Sequence, residues 1–258
     1  SGLASVYFLQ DYEAWFYPES KGTLRQKVID SYRNAHHLIV KTEWLKEKLK
    51  EHGYSAHKIH LGLNLEIFYP RDNKYDAAKK RILFQARPFE KVRGFEKALK
   101  VFEKLLSRRD DIEVVFFGCR EEDLSQYRIP FPYTNMGIVH DQNRVAELYS
   151  SGHLLFDCSL FHGFGRPGLE AMACGVPTVL TKEGGIREYA EDCVNTVLVD
   201  PTDIEGMVEA IISVLDDEGL RERLIKAGLE TAKSYCHKDE ARLHIEFYSS
   251  IVKDGAKR

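Results

Sequence analysis

Residues 162–175 carry the sequence HGFGRPGLEAMACG, and apolar segments flank them at residues 154–160 and 177–181. Short apolar runs bounded by glycine and proline are typical of buried strands, so both flanks are predicted strands. Pro167 suits the first position of a helix, and Gly175 suits the left-handed cap after the last. The stretch therefore predicts a strand, a glycine-broken turn, a short helix and a second strand, which together make one βαβ unit.

The start of that predicted helix is a candidate anion site. Free backbone N–H groups and the positive end of the helix dipole meet at the glycine-rich turn, and Arg166 adds a full positive charge there. Glycine also lets the backbone approach a ligand closely. The alternative is a tight connection without a ligand, because glycine punctuates many turns of α/β proteins. On the first interpretation, the turn binds a phosphate or a diphosphate.

Length and composition indicate an ordinary globular protein. The chain has 258 residues, 43% of them hydrophobic and 30% charged, which is enough for one large core or two modest ones. Its net charge of −3, with both signs interspersed, gives no reason to expect a nucleic-acid partner. No apolar run approaches the roughly 20 residues of a membrane span, and the sequence starts without a signal-peptide pattern, so a cytoplasmic location is expected.

Cysteines and histidines give no sign of a metal or redox site. The five cysteines are widely spaced without a CxxC pair. Among the ten histidines, His36 and His37 are adjacent, but neighbouring residues of a strand point to opposite faces and cannot share a metal. We therefore expect neither a metal nor a cofactor.

Strand and helix patterns alternate along the chain, which predicts parallel sheets with helices on both faces. The predicted strands are 5–10, 37–40, 58–61, 81–86, 113–117, 135–139, 154–158, 178–181 and 196–199. The predicted helices are 24–34, 42–50, 94–107, 141–151, 167–174, 185–191, 202–216, 218–233 and 237–252. Thr42 is the predicted N-cap of the second helix, and polar residues 68–80 predict a linker. The three strands before that linker are too few for a doubly wound domain, so this part is expected to be the end of a domain whose beginning is missing.

The stretch 162–175, continued through residues 178–180 (TVL) and 184–188 (GGIRE), resembles the nucleotide-sugar-binding segment of family 4 glycosyltransferases, which have the GT-B fold. The resemblance implies an α/β architecture of GT-B type. A complete C-terminal Rossmann-like domain, residues 73–258 with a C-terminal crossover helix, would bind the donor. A partial N-terminal Rossmann-like domain with the linker, residues 1–72, would lie on the acceptor side.

Two segments of the first part carry a further resemblance. Residues 7–13 (YFLQDYE) and 59–64 (IHLGLN) resemble the last part of a GT-B N-terminal domain. The first of them, with WFYP at 15–18, is most similar to bacterial rhamnosyltransferase-like members that build surface polysaccharide. Asp11 and Glu13 follow a predicted parallel strand, where the sites of α/β proteins usually lie. They are either site carboxylates or polar residues of an exposed turn.

Family 4 enzymes carry two glutamates eight positions apart around this turn. The resemblance places the second on Glu170, which implies hydrogen bonds to the ribose hydroxyls of the nucleotide. The first falls on His162, at the position that contacts the donor sugar. A neutral imidazole both donates and accepts hydrogen bonds, so the change favours a sugar with a different hydroxyl pattern, such as the 6-deoxyhexose rhamnose. A histidine held only by protein groups is the alternative.

A basic cluster opens the second unit, and the resemblance implies that it binds the donor diphosphate. Arg87 and Arg93 take the positions of the family's arginine and lysine, with Lys91 as the substitute for Arg93. The planar arginine fork suits phosphate oxygens. The expected catalytic residues are His162, Arg87 and Arg93. The expected donor-binding residues are Arg87, Lys91, Arg93, Gly137, Ile138, Val139, His162, Gly163, Phe164, Gly165, Arg166, Glu170 and Glu188.

Some members of this set have alternative roles. Gly137, Ile138 and Val139 end a predicted strand where related proteins hold the nucleobase by backbone groups and apolar packing. Tyr149, on the following helix, is expected in the core. Glu188 either contacts hydroxyls near the phosphates or only complements a helix dipole.

The resemblance implies a glycosyltransferase that moves a sugar from a nucleoside-diphosphate sugar to a saccharide or lipid-linked acceptor in cell-surface polysaccharide synthesis. Family 4 enzymes are typically retaining, and the sequence lacks an Asp-x-Asp element with a plausible ligand set, so a metal-independent reaction is expected. Any peripheral association with the inner membrane face is expected to involve the missing N-terminal part. The alternatives are a nucleotide-sugar-binding or scaffolding module without transfer activity, and a GT-B epimerase.

Overall fold

The computed structural model describes residues 4–72 and 78–255. Its first part forms a three-stranded parallel sheet in the order β1-β2-β3. The strands are β1 (Val6–Leu9), β2 (His37–Val40) and β3 (His57–Lys58), and the helices between them are α1 (Gly22–Ser31) and α2 (Glu43–Lys50). We call residues 4–60 the N-terminal unit.

The predicted N-cap of α2 is confirmed. The Oγ1 atom of Thr42 accepts a hydrogen bond from the N–H of Leu45 at 3.2 Å. The same hydroxyl donates to the carbonyl oxygen of Gly163 at 3.0 Å. Thr42 is fully buried, and its hydrogen bond to Gly163 makes this cap a contact between the two parts of the chain as well.

A six-stranded parallel sheet in the order β6-β5-β4-β7-β8-β9 forms the C-terminal unit, residues 78–233. Its strands are β4 (Lys80–Gln85), β5 (Ile112–Phe117), β6 (Thr134–Asn135), β7 (Leu154–Asp157), β8 (Thr178–Thr181) and β9 (Val197–Val199). The helices after β4 are α3 (Phe95–Leu106), α4 (Glu121–Leu124), α5 (Gln142–Ser150), α6 (Arg166–Ala173), α7 (Ile204–Asp216), α8 (Glu218–Lys233) and α9 (His237–Gly255). The strand order reverses between β4 and β7. A crevice therefore opens beyond the carboxyl ends of these two strands, the usual place for a ligand in such a sheet.

Helices cover both faces of the large sheet, and successive residues of a strand point to opposite faces. On one face, Phe84, Phe116 and Phe156 lie in a cluster with α3 and α7, and their rings surround Phe102 at centroid distances of 5.7–6.0 Å. Leu83, the strand neighbour of Phe84, lies in the opposite cluster with residues of α5 and α6. The near-continuous apolar pattern of the strands follows from this double burial.

Some predicted elements differ from the structure. β6 ends at Asn135 and does not continue to residue 139, because Gly137 takes a left-handed φ of 69° that turns the chain away. Residues 185–191 form a single 3₁₀ turn, Gly185–Glu188, in place of the predicted helix. The single-turn helix α4 lies in a segment for which the sequence predicts no element.

The last helix, α9, lies against the N-terminal unit. Just after that unit, Leu63 exchanges backbone hydrogen bonds with Tyr235 and with His237, the first residue of α9, at 2.7 and 3.0 Å. Further along, Phe247 stacks on His57 with the ring centroids 4.8 Å apart. Among the described residues, no helix combines the length and the apolar character needed to cross a bilayer.

The predicted division of the chain falls between residues 72 and 73. Residues 73–77 lie outside the described residues, so only the ends of the linker predicted over 68–80 are described. At its first end, Phe68 is buried in the core of the C-terminal unit. The chain is therefore already packed against the C-terminal unit before the predicted division.

Candidate functional site

Two cavities adjoin at the carboxyl ends of β4 and β7. The cleft cavity, about 240 Å³, lies between the N-terminal and C-terminal units, and the side cavity, about 370 Å³, lies beside it. Four residues line both cavities: Gln85, Arg87, Arg166 and Pro167. The cavities therefore meet at two arginines, and together they form an elongated site with a positively charged middle.

Arg87 and Arg166 stand at this junction, where the sequence predicts a diphosphate. Arg87 donates from Nη2 to Oε1 of Gln85 at 2.8 Å, and its guanidinium lies 3.7 Å from the Glu90 carboxylate. Arg166 donates from Nε to Oε1 of Glu170 at 2.7 Å, and 46% of its side chain is exposed. Two guanidinium groups placed in this way can bind successive phosphates of one ligand.

The glycine-rich turn leads into α6, whose first turn lines the cleft cavity. Gly165 caps the helix with a left-handed φ of 86°, and a Cβ there would lie 2.2 Å from Cδ1 of Ile186. Because the cap has no side chain, the free N–H groups of the first turn are left for a ligand. Gly163 lies so close to the N-terminal unit that a Cβ would stand 2.2 Å from the Gln10 carbonyl oxygen. Phe164, between the two glycines, also lines the cleft cavity, and its ring packs in the core.

Glu170 lines the side cavity and is held by two neighbours. Its Oε1 accepts from Arg166, and its Oε2 accepts from the hydroxyl of Tyr149 at 3.1 Å. Burial raises the pKa of Glu170 above its usual value, and Arg166 offsets part of that rise. Tyr149 is buried, as predicted, and its hydrogen bond also fixes this carboxylate. Glu170 is therefore oriented before any ligand arrives.

His162 lines the cleft cavity, but protein groups face both of its ring nitrogens. Nε2 lies 3.1 Å from Oδ1 of Asp157, and Nδ1 lies 3.5 Å from Nη1 of Arg93. Burial acts to raise the pKa of Asp157, but the charge and hydrogen bond of His162, with the Ser159 N–H, hold it below its usual value. This geometry is that of a histidine held by protein groups. A sugar could bond a ring nitrogen only if one of these partners moved.

Arg93 is engaged by carboxylates, so its guanidinium is not free for a diphosphate. It donates from Nη2 to Asp11 at 2.6 Å, from Nε to Glu90 at 3.2 Å and from Nη1 to the Phe161 carbonyl at 3.2 Å. Only 12% of its side chain is exposed. Burial acts against its charge, yet Asp11 raises the pKa of Arg93 above its usual value. Arg93 thus links the two units, and a phosphate contact would require it to leave Asp11.

Lys91 and Glu188 line neither the cleft cavity nor the side cavity. Lys91 is exposed on a 3₁₀ turn and lines a separate cavity of about 570 Å³, so it does not stand beside Arg93 at the cleft cavity. Glu188 accepts from Nζ of Lys58 at 2.6 Å and from the N–H of Glu43 at 2.9 Å. It therefore complements the start of α2 in the N-terminal unit.

The predicted base-binding residues divide between the cavity wall and the loop behind it. Ile138 and Val139 line the side cavity, as expected for an apolar contact with a base. Gly137 has both backbone polar groups engaged by protein: its carbonyl accepts from Gly118 at 2.8 Å, and its N–H donates to Asn135 at 3.0 Å. Base recognition by Ile138 and Val139 stays a prediction.

Sequence reasoning missed several residues that line the cleft cavity. Lys41 follows β2, Gln85 ends β4 and Asp157 ends β7, and all three lie at the cavity wall. The signal that could have found them is a polar residue at the carboxyl end of a parallel strand. Asp11, for which the sequence left two interpretations open, lines the cleft cavity. Glu13 instead accepts from the hydroxyl of a core tyrosine at 2.7 Å.

Residues 70–231 match the sequence family described as glycosyl transferases group 1. The D-inositol 3-phosphate glycosyltransferase of Corynebacterium kroppenstedtii is 23% identical over 265 residues, which cover 92% of this chain and 58% of that protein. The N,N'-diacetylbacillosaminyl-diphospho-undecaprenol alpha-1,3-N-acetylgalactosaminyltransferase of Campylobacter jejuni is 26% identical over 275 residues, which cover 98% of this chain and 70% of that protein. The chain thus spans only part of the length of these relatives.

Solved structures resemble the chain over nearly its whole length. Sucrose-phosphate synthase of Thermosynechococcus elongatus superposes with a TM-score of 0.83 at 20% identity, over 96% of this chain and 68% of that one. The Anabaena HepE protein in complex with UDP and glucose superposes with a TM-score of 0.78 at 17% identity, over 95% and 71%. These likenesses confirm the α/β fold of GT-B type. Because the family match over residues 70–231 covers more than half of the sequence, the chain belongs to the glycosyl transferases group 1 family.

Proposed function

We propose that this chain carries the donor-binding part of a glycosyltransferase, which moves a sugar from a nucleoside-diphosphate sugar to an acceptor. The observation that carries the proposal is the meeting of the two cavities at Arg87 and Arg166. The side cavity offers the apolar wall at Ile138 and Val139 for a base and the Glu170 carboxylate for a ribose. The cleft cavity then receives the phosphates and the sugar.

The proposed chemistry is stabilisation of a leaving diphosphate. Negative charge collects on the diphosphate as the bond between sugar and oxygen breaks, and fixed cations aimed at that charge lower the barrier. Arg87, Arg166 and the free N–H groups at the start of α6 supply such positive charge at the junction. The proposal is a metal-independent transfer with retention of configuration, as the family resemblance implies.

The proposal divides the two tasks of the enzyme between the parts of the chain. Residues 73–258 bind the donor, and residues 1–72 contribute to the acceptor side. The Campylobacter relative is named for transfer to a diphospho-undecaprenol compound, which supports a lipid-linked acceptor for this chain as well. Synthesis of cell-surface polysaccharide at the inner face of the membrane is the setting that fits such an acceptor.

The identity of the sugar is a separate matter. A 6-deoxyhexose such as rhamnose was inferred from an imidazole free to donate and accept hydrogen bonds at position 162. The contacts of His162 with Asp157 and Arg93 remove that argument, because both ring nitrogens already face protein groups. The proposed donor is therefore a nucleoside-diphosphate sugar, and no particular sugar is proposed.

The second candidate function is binding of the same nucleotide sugar without transfer. A histidine engaged by Asp157 stands where the family places a sugar-binding glutamate, which favours a module that binds a nucleotide sugar without transferring it. The two candidates give the same binding results and differ in turnover. Release of nucleoside diphosphate in the presence of acceptor separates them, because only the enzyme would show it.

Ligand-induced thermal stabilisation tests the proposed function. We expect one of UDP, GDP and dTDP, or one of their sugars, to raise the melting temperature. A ligand at a hundred times its dissociation constant stabilises the folded state by about 2.7 kcal/mol. The proposal would be contradicted if the chain responded to none of these ligands, or if inorganic phosphate or an unrelated nucleotide stabilised it as much as they do.

Glu170→Gln is expected to weaken nucleoside diphosphate binding about tenfold without unfolding the protein. The amide can turn its oxygen toward Arg166 and its nitrogen toward the Tyr149 hydroxyl, but it no longer offers the ribose a charged acceptor. Calorimetric titration measures the change. Tyr149→Phe is the matched control, because it removes the other partner of the carboxylate and keeps the charge. If the glutamine variant binds normally, the carboxylate does not hold the ribose.

If the sugar takes a ring nitrogen of His162 from Asp157 or Arg93, His162→Ala is expected to weaken binding of the nucleotide sugar about tenfold and to leave the free nucleoside diphosphate unaffected. The reason is that His162 lines the cleft cavity, which would receive the sugar, and does not line the side cavity, which would receive the nucleoside. Titration of both ligands into the same variant compares the two effects. Equal losses for both ligands, or none for either, would rule out a sugar contact.

A further inference from the structure

Lys41 brings a positive charge from the N-terminal unit into the cleft cavity. It follows β2 directly and lines the cavity together with Gln10 from its own unit and Arg166 from the C-terminal unit. Its side chain is partly buried. Cations from both units therefore line the same cavity.

The arginines of the cleft already have carboxylate partners. Arg87, Arg93 and Arg166 lie 3.7, 2.6 and 2.7 Å from a carboxylate oxygen. Within residues 4–72 and 78–255, Lys41 instead has the neutral side-chain oxygen of Gln10, at 3.4 Å, as its hydrogen-bond partner. The Lys41 ammonium is thus the cleft cation that these residues leave without an ion pair.

Burial and like charge both act against this ammonium. Burial lowers the pKa of Lys41, and the positive charge of Arg166 lowers it further, against opposing effects of Glu240 and Asp11. An anion between Lys41 and Arg166 would relieve both effects. The structural alternative is a cation–π contact, because Nζ of Lys41 lies over the Phe8 ring, 5.4 Å from its centroid. The face of one ring attracts the ammonium more weakly than an anion would, and it does nothing to offset the like charge of Arg166.

We propose that Lys41 and Arg166 bind one phosphoryl group between them, so that the N-terminal unit supplies a phosphate contact across the cleft. Phosphate oxygens accept hydrogen bonds from ammonium and guanidinium groups alike, and the flexible lysine stem can follow the ligand. The inference rests on the proposed function. The phosphoryl group is either the distal phosphate of the nucleoside diphosphate or a phosphate carried by the acceptor.

Three variants test the role of this charge. Lys41→Met keeps an apolar stem and removes the charge, and Lys41→Arg restores the charge. Lys46→Met is the matched control, because Lys46 is an exposed lysine of α2 that pairs with Glu43 at 3.5 Å. UDP, GDP and dTDP are first screened on the unchanged protein. The diphosphate that binds is then titrated, beside its monophosphate, into every variant, and inorganic phosphate is titrated into protein saturated with that diphosphate.

If Lys41 contacts the donor, Lys41→Met binds the diphosphate about tenfold more weakly and the monophosphate normally. If it contacts a phosphorylated acceptor, diphosphate binding is unchanged and the saturated protein binds inorganic phosphate about tenfold more weakly. Either loss, rescued in Lys41→Arg and absent in Lys46→Met, supports the proposal. Unchanged affinities in both titrations overturn it. An unchanged protein that binds none of the three diphosphates overturns the proposed function itself.

Discussion

Replacing Arg87 by alanine is expected to weaken nucleoside diphosphate binding about a hundredfold, as calorimetric titration would measure it. Arg87 lines both cavities and stands where the proposed diphosphate lies. A guanidinium fork can make two charged hydrogen bonds to phosphate oxygens, each contributing about 1.5 kcal/mol or more. The monophosphate is expected to lose less affinity, because it offers fewer phosphate oxygens at the junction.

Lys91→Ala provides the control for this experiment. Lys91 lies four residues from Arg87 and carries the same charge, but it lines the separate cavity. Its removal is expected to leave nucleotide affinity unchanged, so any general effect of lost positive charge would show in both variants. A strong loss in Lys91→Ala with none in Arg87→Ala would place the diphosphate elsewhere.

Gly163→Ala is expected to lower the free energy of unfolding by roughly 3 kcal/mol, measured by urea denaturation. The added Cβ would stand 2.2 Å from the Gln10 carbonyl oxygen and 2.8 Å from Cα of Asp11. Both are backbone atoms and cannot swing aside as a flexible side chain would. The variant therefore has to push the glycine-rich turn away from the N-terminal unit, which also widens the cleft cavity.

Gly22→Ala is the matched control for that substitution. Gly22 begins α1, and a Cβ there would have no heavy atom within 4 Å. Because alanine is favoured over glycine in a helix, this variant is expected to be as stable as the unchanged protein or slightly more so. Similar small effects at both positions would mean that the turn yields easily, contrary to the close approach described above.

The fold was largely predictable because its signals are local. Alternating apolar strands and amphipathic helices are visible within short windows of sequence, and the cap at Thr42 depends on residues three positions apart. Arg166 and Glu170 were also predictable as a pair, since residues four apart share one face of a helix. The left-handed turn at Gly137 was missed because glycine permits such a φ without requiring it.

The rest of the site depends on contacts between distant parts of the chain. Arg93 looked available for phosphate, but Asp11, 82 positions earlier, occupies its guanidinium. For Glu188 the sequence left a ligand contact and a role at a helix start open, and Lys58, 130 positions earlier, takes its carboxylate. A single sequence shows the charge of each residue, but it does not show which opposite charge the fold places next to that residue. His162 likewise looked available for a sugar, but Arg93, 69 positions earlier, faces one of its ring nitrogens.

The Thr42 hydroxyl makes two hydrogen bonds, one within its own unit and one to the other unit. It accepts the Leu45 N–H that begins α2, and it donates to the carbonyl of Gly163 in the turn that lines the cleft. Serine could make both hydrogen bonds, whereas aspartate at this position would cap α2 and repel the carbonyl, and valine would make neither bond. The residue at position 42 therefore has to satisfy two hydrogen bonds at once, and the start of a helix in one unit limits how far the turn that lines the cleft in the other can move.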